Sequence, residues 1–240
     1  KGVTAGNGTI SISNSGGTSD VVLDGHIQAS NTGLAANVAA ISVTSGRDIL
    51  LGTAGASATN MTSNTSGAIR LQAAGSLNLK INDGGNSSAS TTLSAAGNLD
   101  LQAGADVVKL DGNAVTLSSS GADVLLQAGG DVTLTGMTVT AQRDITLASA
   151  SLTSASLSAG RHVNLTTSAS MQTDGAIIGG TTGHGVVTLT STVSGEIRII
   201  GNLQTTASGL AGNVAAVAVT SAAGIQMGSA SVPSSNLTVL

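Results

Sequence analysis

A short unit returns along the chain in which two aliphatic residues stand one position apart. It reads TISIS at 9–13, AIRLQ at 68–72, SLNLKI at 76–81, NLDLQ at 98–102, AVTLS at 114–118, DVTLT at 131–135, DITLA at 144–148, HVNLT at 162–166 and EIRII at 196–200. Side chains on a strand point alternately to opposite faces. Ile69 with Leu71, Leu99 with Leu101, Val132 with Leu134, Ile145 with Leu147 and Val163 with Leu165 therefore each share one face. The residues between them, Arg70, Asp100, Thr133, Thr146 and Asn164, take the other. The pattern predicts many short strands with one oily face and one wet face.

Pieces such as SG, AG, GG, AGN and DG separate the units every 6 to 12 positions and supply turns. No segment carries a helical stripe with caps, and the Ser, Thr and Gly content opposes helix throughout. Short strands with regular turns can build a sandwich. Uniformly small residues and repetition favour instead a chain that winds, each coil giving two or three short strands that pair in parallel with the coil below.

A second, longer period lies over the first. TGLAANVAAISVTS at 32–45 returns as SGLAGNVAAVAVTS at 208–221, an offset of 176 residues. At the same offset VVLDGHIQ (21–28) lies over IRIIGNLQ (197–204), DILLG (48–52) over GIQMG (224–228) and NMT (60–62) over NLT (236–238). With one residue deleted GTISIS (8–13) falls on GVVTLT (185–190), so 8–64 matches 185–240. Substitutions keep apolar character: Ile41 becomes Val217, Leu51 becomes Met227 and Met61 becomes Leu237.

Residues 1–240 thus read as a single continuous β-solenoid, all-β and parallel, in which whole coils were copied. Divided into eight or nine coils, 176 residues predict about 20–22 per coil, about 11 or 12 coils in the chain and a rod about 50–60 Å long.

Composition accounts for the thinness of such a coil. The chain has no Phe, Trp, Tyr or Cys, one Pro and 33 Gly among its 240 residues. Without rings the interior must be narrow and lined by aliphatic side chains, each contributing roughly 1.5–3 kcal/mol on burial before ordering entropy is subtracted. At 40% hydrophobic and 8% charged residues the chain is too apolar for disorder. No run reaches the roughly 18–20 apolar residues of a membrane span, so no membrane insertion is expected. The net charge of −4 and eight unclustered Lys and Arg residues leave no footprint for nucleic acid. Absent cysteine removes disulfides and thiolate chemistry. Lys1 with no signal-like segment after it reads as the start of a mature or excised piece.

The runs AAGNLDLQAGADVVKLDGNAVTLSSSGADVLLQAGGDVTLTG and AQRDITLASASLTSASLSAGRHVNLTT follow a pattern A-G-x-[VIL]-x-[VIL]. They resemble the passenger repeats of filamentous haemagglutinin-type large exoproteins over nearly the whole chain. The resemblance implies a right-handed parallel β-helix, secretion across a Gram-negative outer membrane by a two-partner or autotransporter route, and an extracellular or cell-surface location. It also implies a role in adhesion or aggregation, with a receptor on a host or neighbouring cell as partner.

Candidate chemistry is sparse. Asp48, Asp106, Asp123, Asp131 and Asp144 recur just before strands. A row of carboxylates can hold Ca²⁺, but the Asp-rich glycine nonapeptide of calcium-loaded β-rolls does not occur and the ion needs about six or more gathered oxygens. These aspartates read as turn caps. Arg47 with Asp48, and Arg143 with Asp144, are expected to pair locally. His26, His162 and His184 have no Glu or Cys at ligand spacing and read as solvent-facing. Glycoside chemistry needs clustered carboxylates, and Glu196 is the one glutamate. No catalytic, cofactor-binding or metal site is expected, no cofactor is implied, and the chain reads as a non-enzyme.

Outward T-x-T pieces at 133–135, 138–140 and 188–190 raise ice binding, because a flat threonine face can order water. The outward residues Arg70, Asn78, Asp100, Thr116, Leu125 and Arg198 are mixed, which speaks against a uniform face. SSNLTVL at 234–240 is strand-like and uncapped, as expected of a section cut from a longer rod or of copies that stack end to end. The first functional expectation is the shaft of a secreted adhesin, whose partners are adjoining coils or further copies of itself. The alternatives are a self-assembling extracellular filament and an ice-binding or polysaccharide-acting β-helix.

Overall fold

A computed structural model describes residues 8–52, 59–80, 90–109, 114–154, 156–228 and 235–240. Their alternating units form a parallel β-helix of 27 strands in three nine-stranded sheets, with three strands to each coil. The first coil gives Ile10–Asn14 to sheet A, Val21–Leu23 to sheet B and His26–Ala29 to sheet C. The ninth gives Val217–Thr220, Ile225–Met227 and Leu237–Val239 to the same three sheets. Every strand pairs in parallel with its counterpart one coil away, so inward residues stack on inward residues and outward on outward.

Alternation decides what is buried. On sheet A the inward column Ile41, Ile69, Leu99, Val124, Ile145, Val163 and Val187 runs in register through seven coils. Sheet C supplies Met61, Leu93, Leu117, Val139, Leu157, Ile177 and Leu203 against it. All of these side chains are buried, as are the predicted inward pairs from Ile69 and Leu71 to Val163 and Leu165. The interior is filled chiefly by Val, Ile, Leu, Met and Ala, with small buried Ser and Thr such as Thr91, Ser154 and Thr173 among them, which is why rings are not needed. The run SLNLKI ends at Ile81, outside the described residues.

Coil length departs from the expectation of a uniform 20–22 residues. The sheet A partners Ile10, Ile41, Ile69, Leu99, Val124, Ile145, Val163, Val187 and Val217 are 31, 28, 30, 25, 21, 18, 24 and 30 residues apart. The 176-residue offset from Ile41 to Val217 is therefore seven coils, not eight or nine. The described residues make nine coils rather than 11 or 12, and first-to-ninth separation is about 38 Å at roughly 4.8 Å per coil rather than 50–60 Å.

The additional residues of long coils sit in loops that leave strand register alone. The segment 30–38 arches over the following coils, where Val38 O accepts from Ala68 N and Ala36 O from Asn98 N, both at 2.7 Å. Gly67 lies beneath it at φ +87°, and a Cβ there would strike Leu34 and Ala40.

Candidate functional site

The corners between sheets carry most of the polar chemistry, and it is arranged in ladders. Ahead of sheet B, Asp48 Oδ1 accepts the N–H of Ser76 (2.7 Å), Ser76 Oγ that of Asp106 (3.4 Å) and Asp106 Oδ1 that of Asp131 (2.8 Å). Ahead of sheet A the sequence of acceptors is Asn98, Asp123, Asp144 and His162, each taking the N–H of the equivalent residue one coil on, at 3.1–3.3 Å. Corner N–H groups would otherwise lack a partner between strands, so each side chain closes the gap left by the coil above. The five aspartates singled out in the sequence are thus divided between two corners. Among the described residues no three His, Asp or Glu side chains gather as a metal site.

His162 belongs to this ladder and is not simply solvent-facing. Its Nδ1 accepts from Val186 N at 3.1 Å, so the ring proton of the neutral form resides on Nε2. His26 and His184 are exposed.

The expected local pairs Arg47–Asp48 and Arg143–Asp144 are replaced by diagonal ones. Arg47 pairs with Asp20 (3.3 Å), Arg143 with Asp123 (3.2 Å) and Arg161 with Asp144 (2.6 Å). Each arginine precedes its own corner residue and reaches back to the corner acid of the coil before, because neighbours in sequence point to opposite sides of the chain while neighbours in the stack lie side by side. Burial opposes the ionisation of Asp144, but hydrogen bonds from Arg161 and from the His162 N–H, with the Arg161 charge, outweigh it and hold the carboxyl below its ordinary value. The same contact raises Arg161.

The outward faces differ from sheet to sheet. On sheet A, Arg70 Nε donates to Asp100 Oδ2 (2.9 Å), Gln102 Nε2 to Asp100 Oδ1 (3.1 Å) and Gln72 Nε2 to Gln102 Oε1 (2.9 Å). This network leaves Asp100 only 7% exposed although it points outward. Beside it runs an open shelf of about 540 Å³ along Thr44, Gln72, Gln102 and Gln127, with no titratable side chain in its lining. Sheet B carries Glu196 and Arg198 in a trough of about 260 Å³, without a second carboxylate.

Sheet C is uniform. Its outward positions on coils 2 to 6 are Asn60 and Thr62, Thr92 and Ser94, Thr116 and Ser118, Thr138 and Thr140, and Ser156 and Ser158, aligned in two columns. This corrects the expectation of mixed outward residues, which had pooled three faces: Arg70, Asp100 and Leu125 belong to sheet A, Asn78 and Arg198 to sheet B, and Thr116 to sheet C. The three T-x-T pieces also part company, with Thr133 on sheet B, 138–140 on sheet C and 188–190 on sheet A. The stacking partners of 138–140 are written T-x-S and S-x-S, so a search for paired threonines passes over them. Counting any hydroxyl at alternate positions would have found the face, once strands were sorted by sheet.

Compared with family models, curated proteins and solved structures, the chain has no match.

Proposed function

We propose that the chain is a section of the rigid shaft of a secreted, filamentous haemagglutinin-like surface adhesin, a non-enzymatic rod that holds a binding region away from a Gram-negative cell. The observation that carries this reading is the relation between the two periods. Residues 176 apart take equivalent places in coils seven apart, so the duplication lengthens the rod by whole coils and leaves the aliphatic columns continuous. Each added coil extends the stack by roughly 4.8 Å and buries its own inward face. Adjoining coils are then the chief partner of this segment, and a cell-surface receptor is met elsewhere along the rod.

A self-assembling extracellular filament, in which a further copy takes the place of the next coil, is the second reading, and the ninth coil shows what such a copy would cover. Met227 and Leu237 are 49% and 54% exposed there, whereas their counterparts Leu51 and Met61 are fully buried under the next coil. A second copy stacked on that face would cover the same columns.

The size of the native product on a denaturing gel, with electron microscopy of the cell surface, separates the two. One very long polypeptide in a thin projecting fibre supports the shaft. Short subunits that polymerise into filaments support the second reading and overturn the first.

A further inference from the structure

We infer that the outward face of sheet C, from coil 2 to coil 6, is a binding surface for ice. This inference is independent of the shaft reading, since a rod with or without a receptor can carry it.

The face presents nine hydroxyls in ten positions and no charge, on four successive strand pairings without a register shift. Hydroxyls repeat at roughly 4.8 Å across the strands and about 6.6 Å along them, a two-dimensional grid close to the oxygen repeat of an ice surface. A hydroxyl donates once and accepts twice, so it can stand in for a lattice water. A charged group would instead organise water around itself.

These hydroxyls are also available. Serine and threonine at the corners are engaged with carbonyls, as in Ser119 to Gly97 O and Thr205 to Gly185 O. On the grid only Ser118 makes a bond to the protein, a long one of 3.4 Å to Leu93 O. Threonine is stiff at χ1 and its strand is locked in the stack, so little side-chain freedom is lost when a lattice forms on it.

Other occupants fit less well. A soluble sugar wants a concave site, and the nearest depression is an open trough of about 320 Å³ beside the second column. Crystalline polysaccharide is usually gripped by aromatic platforms, and the chain has no aromatic residue.

The test is partition of the purified chain into slowly grown ice, with inhibition of ice recrystallisation as a second readout. Thr116→Lys and Thr138→Tyr place a charge and a bulky ring at the centre of the grid, on a half-buried and an exposed outward side chain; Thr146→Lys on sheet A is the control. Circular dichroism and melting verify that each variant is folded. Wild type and Thr146→Lys should enter ice and inhibit recrystallisation, and both central variants should lose both properties. Exclusion of folded wild type from ice overturns the inference. So does equal entry by wild type and the central variants, which marks non-specific trapping, or retention on microcrystalline cellulose in place of ice.

Discussion

Ile49 and Ile225 are the same residue at the same place in two copies of one block, yet Ile49 is sealed from solvent and Ile225 leaves 52% of its surface exposed. Ile49 pairs with Leu77 on the coil that follows it, while Ile225 stands on the ninth coil and pairs with Ile197 below. The contrast isolates what one covering coil contributes. Ile49→Ala should cost about 3–4 kcal/mol, in the range of large-to-small core changes, and Ile225→Ala less than about 1 kcal/mol. Chemical denaturation of the two variants side by side measures the difference, and equal losses would show that stacking is not the source of burial at Ile49.

Faces within one strand region give a second contrast. Leu134 is fully buried directly after the sheet B strand Val132–Thr133, and Thr133 beside it points outward. Leu134→Asp should lower stability by about 4 kcal/mol or more, because an unpaired carboxylate cannot be accommodated in a dry column. Thr133→Asp should stay within about 0.5 kcal/mol of wild type. Thermal melting of both variants distinguishes them.

Gly75 sits against the corner ladder. A Cβ on it would collide with Asp48 Oδ1, the atom that accepts the Ser76 N–H. Gly75→Val should therefore destabilise by about 1–3 kcal/mol through overpacking. In an Asp48→Ala background the same change should cost measurably less, since the obstructing carboxylate is gone. A double-mutant cycle reads the coupling, and strict additivity would contradict the contact.

Asp144 gives the stack a dependence on pH. Its carboxyl is held below the ordinary value in the folded chain, chiefly by Arg161 and the His162 N–H against the opposing effect of burial. The unfolded chain therefore binds this proton more readily, so the contribution is present above about pH 4 and is lost as pH falls through the folded value. Arg161 is half-exposed, which limits the pair to about 0.5–1 kcal/mol. Asp144→Asn keeps the acceptor for His162 and removes the charge. Wild type should melt higher than this variant at pH 7, and the gap should shrink on acidification below about pH 4.

The faces of the strands were legible in the sequence because alternation has a fixed period of two. Ile145 and Leu147 are each 2% exposed, as their spacing required. Coil length was not legible, because turns and loops vary freely while strand register is held by the columns. The segment 30–38 adds residues without moving Ile41 out of line with Ile10. Sheet membership follows from coil length, so the face of sheet C could not be read either: Thr92, Thr116 and Thr138 are neighbours only when loops of unequal size are counted correctly. The diagonal pairing of Arg143 with Asp123, rather than with adjacent Asp144, was hidden for the same reason.

The stacking of coils is measured most directly by the distance between two spin labels on sheet A. Ser42 and Thr188 are 146 residues apart and lie in one outward column, six coils from each other. Native cysteine is absent, so Ser42→Cys and Thr188→Cys direct the labels to these two sites alone. Pulsed electron paramagnetic resonance should give one narrow distribution centred at about 29 Å, six steps of roughly 4.8 Å. A broad distribution, or a centre displaced by a coil or more, would contradict the parallel stack and the account built on it.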